Sequence, residues 1–380
     1  MWQRPVLNSI LKLLIKPLGP VNRILPKNKT SILIYSNLGF RDNTKSLYDY
    51  LVSLEYNERY KITVCCPEAA KLRKNAPDNV RFVGKARAFI CFLRAGYMFY
   101  SFGKFPIKPA KKQTVVNLWH GMPLKSIGKL EKGKSFDGKC YFDYTIATSP
   151  FFGEIMEKCF CCRKDQVLLT GQPRCDKLFN NDRKRKKIIL WFPTYRTSEK
   201  LGSTNSSFAG NYGIPLVETP EDLAMLENQL AQHGFKLVIK PHPMQDKLTS
   251  LPLMKHIAFA TDKMLLRRGL DIYDIMSESS ALITDYSSLS FDYLLLDRPI
   301  AYTADDLEAY DNQRGFSVAD PKSLMAGEII TDLNGLTHFI HELAAGKDKY
   351  AQRRKEVNAL VNSSQHGNAC ESILLECNIR

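Results

Sequence analysis

Residues 280–299 read SALITDYSSLSFDYLLLDRP. Ala281 to Thr284 predict a buried strand, Asp285, Tyr286, Ser287 and Ser288 a tight polar turn, and Leu289, Phe291, Tyr293, Leu294 and Leu296 the apolar side of a helix. A strand thus feeds directly into a helix start, where unpaired N–H groups and the positive end of the macrodipole lie. Two readings stay open. The turn binds a phosphate or pyrophosphate, or Asp285 or Ser287 simply caps the helix.

Working outward, the same alternation recurs on both sides. SILIYS, KITVCC, VRFV, YMFYS, TVVNLW and QVLLTG upstream read as strands with helical or loop material between them. IILWFP, FKLVIKPHP, IAFA and PIAYT do the same downstream of a charged run, NNDRKRKK at 180–187. Alternation of this kind predicts an α/β protein with parallel sheets covered by helices. The charged run predicts a junction between two halves. Expected divisions are residues 1–27, a basic amphipathic segment; 28–182 and 188–362, the two α/β domains; and 363–380, a C-terminal helix.

In open parallel sheets, ligands lie beyond the carboxyl ends of strands. Polar residues directly following apolar runs are therefore the candidates. His120, Gly121 and Lys125 follow VVNLW; Pro193, Thr194 and Arg196 follow ILWF; Lys240 and His242 follow KLVI. Asp285, Ser287 and Ser288 close the central strand, and Asp305, Asp306 and, farther on, Arg314 follow PIAYT. Five strand ends carrying such groups point to a shared cleft. Arg196, Lys240, Arg314 and the serine pair supply donors for a pyrophosphate and for charge building on a leaving phosphate. His120 or His242 has the chemistry to take a proton from an attacking hydroxyl. Together they imply a transferase that uses a nucleotide-diphosphate donor.

The net charge of +15 favours an anionic partner without choosing among nucleic acid, phosphorylated substrate and membrane. The ten cysteines are scattered and several sit in apolar runs, which predicts reduced core thiols in a reducing cytoplasm. Cys159, Cys161 and Cys162 lack a second ligand pair at zinc spacing, so they read as structural thiols. The first 27 residues mix Trp2, Leu7, Ile10 and Leu14 with Arg4, Lys12, Lys16 and Arg23. That run is too interrupted to span a bilayer. It reads either as a helix lying on an anionic membrane surface or as one packed on its own domain.

NLWHGMPLKSIG (117–128), TGQPRCD (170–176), ILWFPTYR (189–196), LVIKPHP (237–243), ALITDYSSLSFDYLLLDRPI (281–300) and DLEAYDNQRGF (306–316) resemble, in order, motifs of the CDP-glycerol glycerophosphotransferase family, the teichoic acid primases and polymerases. ILIYSNLGFRDNTKSLYDYL is similar to the opening domain of its shorter members. The resemblance implies a GT-B fold of two Rossmann-like domains with a cleft between them, the acceptor side in the first and the donor nucleotide on the second. It also implies peripheral attachment to the inner, cytoplasmic face of the cell membrane. By the same resemblance His120 is the base on the acceptor hydroxyl. His242, Arg196, Lys240, Ser287, Ser288 and Arg314 hold the donor phosphates, with Arg174, Pro193, Thr194 and Asp285 in matching donor motifs and Gly121 and Lys125 toward the acceptor. The expected partners are CDP-glycerol and a lipid-linked glycan or polyol-phosphate acceptor, with CMP released.

Neither metal nor other cofactor is expected: side-chain cations suffice, and Asp305 with Asp306 reads as capping or loop solvation rather than as a metal pair. One departure is the tail SQHGNACES, where the family usually runs on to an arginine and Cys370 with Glu371 stands instead. Rival readings keep the fold and change the donor, to CDP-ribitol or a nucleotide sugar. A non-catalytic protein binding nucleic acid or membrane would place its basic residues in stripes interleaved with aromatics. Here they gather at strand ends and in the linker, so no nucleic-acid partner is expected.

Overall fold

The structure, a computed structural model, describes residues 17–103, 105–133, 135–138, 140–179, 183–193, 197–198, 203–204, 214–240, 254–304 and 306–380. The chain divides into two compact units. One comprises the described residues up to His120, Phe136–Asp176 and Ser364–Arg380; the other comprises Gly121–Ser135 and Lys177–Ser363.

The first unit holds β1 (Asn28–Tyr35), β2 (Lys61–Cys65), β3 (Val80–Val83), β4 (Ala95–Tyr100), β5 (Thr114–Asn117), β6 (Tyr144–Ile146) and β7 (Val167–Leu168). They form one parallel sheet in the order β3-β2-β1-β4-β5-β6-β7. Every residue of β4 is buried, as is β1 from Ile32 onward. Strands covered on both faces read as unbroken apolar runs for this reason. Ile32, Ile34, Val64, Phe82 and Phe99 pack on one face against Leu47 and Leu51 of the helix Asp42–Ser53 and Ile373 and Leu374 of the helix Ala369–Glu376.

In the second unit β8 (Ile188–Phe192), β11 (Lys236–Ile239), β12 (Ile257–Phe259), β13 (Ala281–Thr284), β14 (Ile300–Thr303) and β15 (Glu328–Ile330) form a parallel sheet, ordered β12-β11-β8-β13-β14-β15. A separate antiparallel pair joins β9 (Thr197–Ser198) to β10 (Ser203–Thr204). The helix Pro220–His233 begins with Thr219 and Asp222 exchanging side-chain-to-backbone bonds and ends on Gly234 at φ 68°. Its Leu223, Leu226 and Leu230 pack on Leu237, Ile239 and Ile283. Both sheets thus have the alternating, doubly covered Rossmann-like form.

Strand order reverses once in each sheet, between β1 and β4 and between β8 and β13. These switch points open a crevice at the carboxyl edge. At the second, Thr284 Oγ1 donates to the Phe192 carbonyl at 2.8 Å and Thr303 Oγ1 to that of Thr284 at 3.2 Å, tying three strand ends together.

Two stretches belong to a unit other than that of the sequence preceding them. Gly121–Ser135 follows β5, yet it is hydrogen-bonded into the second unit: Ser126 N donates to Gly315 O, Ser317 N to Leu124 O, and Lys125 pairs with Phe316 as an antiparallel bridge. Ser364–Arg380 returns to the first unit, where Ser364 N donates to Thr148 O at 2.8 Å. Of the N-terminal segment, residues 1–16 lie outside the described residues. Leu18–Ile24 is a helix anchored by the buried Asn22, whose amide donates to Gln113 Oε1 at 2.7 Å and Lys108 O at 3.1 Å.

Gly327, just before β15, runs so close to β14 that a Cβ there would stand 2.0 Å from the Ile300 carbonyl oxygen. Gly327→Ala must push strand backbones apart, and a destabilisation of about 2–4 kcal/mol is expected. Scanning calorimetry checks it; an unchanged melting temperature would show that the edge strand shifts freely.

Candidate active site

His120 stands three residues beyond β5, the strand next to β4, at which the first sheet's order reverses. Its Nδ1 lies 2.9 Å from the carbonyl oxygen of Ser101, the residue after β4. A carbonyl only accepts, so Nδ1 carries the proton and Nε2 keeps its lone pair. The ring packs between Trp119 and Phe102, with centroids 4.1 and 5.1 Å away. Trp119 sits at φ 49°, a left-handed conformation that a bulky residue rarely adopts.

Asn43 holds that backbone in place. Its amide donates to Leu118 O at 2.8 Å and Trp119 O at 3.2 Å, while its carbonyl oxygen accepts from Arg174 N at 3.1 Å. Arg174 is almost fully buried and pairs with Asp42 at 2.7 Å. The structure therefore places Arg174, a candidate for donor binding, in the first unit with His120.

Burial holds the His120 ring below the ordinary histidine range, even though an edge of the residue stays exposed. The Ser101 carbonyl and Asp42 pull it up, and Arg174 and Arg41 push it down. Asp42, Asn43 and Ser101 were not singled out as site residues from sequence. Only the general likeness of FRDNTKSLYDYL to an opening domain pointed toward the first two.

In the second unit the remaining described candidates gather at or near strand ends around the β8/β13 reversal. Pro193 follows β8 and is buried. Lys240 follows β11; its backbone N–H donates to Trp191 O, and its buried ammonium lies 2.8 Å from Asp262 and 5.7 Å from the Phe192 ring centroid. Asp285 is fully buried and Ser287 nearly so, while Ser288 keeps partial exposure.

The helix after the turn is short, Leu289–Tyr293 with a 3₁₀ continuation to Leu296. Its first N–H groups are used within the turn: Leu289 N donates to Ser287 Oγ at 3.3 Å, Ser290 N to Ser287 O at 3.2 Å, and Phe291 N to Ser288 O at 3.2 Å. The row of unpaired N–H donors expected there is thus partly consumed by the turn's own tightness.

Tyr286 binds this turn to the DLEAYDNQRGF segment. Its hydroxyl donates to Asp306 Oδ1 at 2.8 Å, and its ring meets Tyr310 at 4.7 Å and Phe316 at 5.3 Å. Arg314, at the end of that segment, lies 3.7 Å from Glu131. Lys125 Nζ stands 5.8 Å over the Tyr310 ring, and Gly121 and Lys125 both belong to the stretch bonded into this unit. The two residues expected toward the acceptor thus keep company with a donor-side motif. Thr194, Arg196, His242 and Asp305 lie outside the described residues.

Residues 18–376 match the family described as CDP-glycerol:poly(glycerophosphate) glycerophosphotransferase. The chain belongs to this family. A teichoic acid glycerol-phosphate transferase of Staphylococcus aureus (strain NCTC 8325 / PS 47) is 26% identical over 96% of this chain and 98% of that protein. A teichoic acid poly(glycerol phosphate) polymerase of Bacillus spizizenii (strain ATCC 23059 / NRRL B-14472 / W23) is 28% identical, covering 90% of each. Among solved structures, the wall teichoic acid polymerase TagF superposes with a TM-score of 0.75 at 21% identity, over 99% of this chain and 97% of that one. That likeness establishes the GT-B type of two-domain α/β fold.

His120 yields a direct expectation. Followed by NMR, its ring should titrate below about 6.5 with Nδ1 as the protonated nitrogen of the neutral form. Because its folded value is depressed, its contribution to stability is complete above the unfolded value and is lost as pH falls. A midpoint above the ordinary value would contradict the desolvated site.

Proposed function

We propose that this chain transfers glycerol phosphate from CDP-glycerol to a hydroxyl of a lipid-linked glycan or polyol-phosphate acceptor, as a teichoic-acid-type transferase. The observation that carries the reading is His120, whose Nδ1 is committed to Ser101 O so that Nε2 keeps its lone pair, as a base requires. A depressed titration keeps that nitrogen unprotonated at neutral pH, the state in which a base works.

In this reading the acceptor hydroxyl gives its proton to His120 Nε2 as its oxygen attacks the phosphorus bearing the glycerol. The bond from that phosphorus to the oxygen of CMP breaks, and CMP leaves with the electron pair. Lys240, Arg314, Ser287 and Ser288, together with Arg196 and His242, serve the donor's diphosphate, where charge grows on the departing phosphate. Arg174 acts beside His120, through Asp42. Among the described residues no three side chains are grouped to hold a metal ion. Similar proteins include a Bacillus spizizenii teichoic acid ribitol-phosphate primase, 28% identical over 62% of this chain, which makes CDP-ribitol the donor to test alongside.

Attachment to an anionic membrane surface has support in the first unit. No helix of the described residues is long and apolar enough to cross a membrane. Ile24 is 84% exposed at the end of the helix Leu18–Ile24, and Ile90 is 68% exposed on the helix Lys85–Phe92, which also carries Lys85 and Arg87. Lys27 ties the two regions together by donating to Leu93 O at 2.5 Å. Exposed apolar side chains on helices that also carry Arg23, Lys85 and Arg87 suit a headgroup layer.

Purified protein given CDP-glycerol and a lipid-linked acceptor should release CMP. Turnover with CDP-ribitol alone would transfer the assignment to that donor. His120→Ala should lower transfer by about 10²–10⁴-fold with CDP-glycerol binding retained, and loss of donor affinity with turnover intact would refute the role of base. Ile90→Asp should weaken co-sedimentation with phosphatidylglycerol vesicles at low salt, whereas unchanged sedimentation would place the membrane contact elsewhere.

A further inference from the structure

The tail Ser364–Arg380 belongs to the first unit, and two of its residues, Gln365 and Ala369, are bonded to the turn Gly171–Asp176. The Gln365 side chain occupies both backbone polar groups of Gln172. Its Oε1 accepts from Gln172 N at 2.6 Å and its Nε2 donates to Gln172 O at 3.3 Å. Gln172 is fully buried and Gln365 is 4% exposed, so no water serves that N–H and C=O in its place. Gly171, at φ 78°, makes room: a Cβ there would stand 2.5 Å from Gln365 Oε1. Asp176 fastens the other end of the turn, its carboxylate accepting from Ala369 N and Cys370 N at 2.9 Å each, at the start of the helix Ala369–Glu376.

The same turn carries Arg174. From there the contacts lead to His120 in two steps. Arg174 N and Nη1 bond Asn43 Oδ1 and Asp42 Oδ1, and the Asn43 amide bonds the carbonyls of Leu118 and Trp119, the two residues preceding the histidine. Neither Gln365 nor Asp176 touches the ring.

We propose that Gln365 is a positioning residue for His120, acting through the turn it holds, while the helix that follows it supports the first unit. The proposal rests on the reading of His120 as the acceptor's base. Without the Gln365 amide, the Gln172 N–H and C=O must find other partners, and the turn moves to do so. Arg174 moves with it, the Asp42 charge is left facing the ring, and Asn43 loses the contact that fixes its own orientation.

The test is Gln365→Leu in the full chain, which keeps the bulk and removes the side chain's bonds to Gln172 and to Asp176. Ile373→Ala is the comparison: it removes core packing from the same helix, and Ile373 makes none of the side-chain hydrogen bonds that hold the turn. Gln365→Leu should lower kcat by about ten- to a hundredfold, the scale on which a misplaced catalytic group acts. KM for CDP-glycerol should stay within about twofold, as expected of a change that spares ground-state donor binding. The acidic limb of kcat/KM should shift upward, because Asp42 loses its counter-ion. Ile373→Ala should lose at least as much melting temperature while keeping kcat and the pH limb. Loss of kcat in proportion to melting temperature in both variants, or an unmoved kcat and limb in Gln365→Leu, would overturn the proposal. If the wild type transfers nothing from CDP-glycerol, the base reading fails separately. The His120 ring titration then decides the positioning claim, which stands if Gln365→Leu moves it and leaves that of His256 in place, and falls if His120 does not move.

Discussion

A buried backbone carbonyl at the carboxyl edge of a parallel sheet has to be met by a donor, and this constraint organises both units. In the first, the carbonyl is that of Ser101 and the donor is the His120 ring, so satisfying the sheet edge also selects the tautomer that leaves Nε2 available. The next carbonyls along, of Leu118 and Trp119, are met by Asn43. In the second unit, carbonyls of Phe192 and Thr284 are met by the hydroxyls of Thr284 and Thr303. These bonds keep the strand ends closed where sheet order reverses, and the polar residues beyond them inherit fixed positions.

The strands were legible because a parallel sheet buried on both faces writes itself as continuous apolar runs, and Ala281–Thr284 or Ala95–Tyr100 has almost no other reading. The helix Pro220–His233 carries its own end signals, Thr219 and Pro220 at the start and Gly234 after the last residue. The rule that ligands lie beyond strand ends then turned a list of apolar runs into a list of candidate residues. His120 and Lys240 are on it for that reason alone.

What was not legible depends on partners far away in sequence. Ser126 Oγ donates to a carbonyl 190 residues on, at Phe316, and local pattern carries no sign that Gly121–Ser135 would join the second unit. Gln365 and Gln172 are 193 residues apart. A glutamine in a polar tail reads as a surface residue until its amide is seen pairing a buried peptide unit. Asn43 stands in the first turn of the helix Asp42–Ser53, and its side chain reaches a strand end 75 residues on, which local pattern does not reveal. The helix start at Leu289 erred in the other direction. Local pattern promised open N–H donors, and the turn's own compactness consumed them.

The candidate cations on the second unit, Lys240 and Arg314, both lie beside carboxylates. Lys240 is buried, so an unpaired ammonium there would be expensive, and Asp262 supplies the counter-charge. The Asp262 side chain is itself 45% exposed. Water takes over a half-exposed carboxylate at little cost, so this ion pair is weakly held on the side of its acid. Arg314 and Glu131 form a looser pair at 3.7 Å. In the proposed reading, a diphosphate brings more negative charge and more acceptor oxygens than either carboxylate offers. Exchange of Asp262 for a phosphate would then keep Lys240 paired throughout, and the ammonium would never have to stand alone in the protein interior.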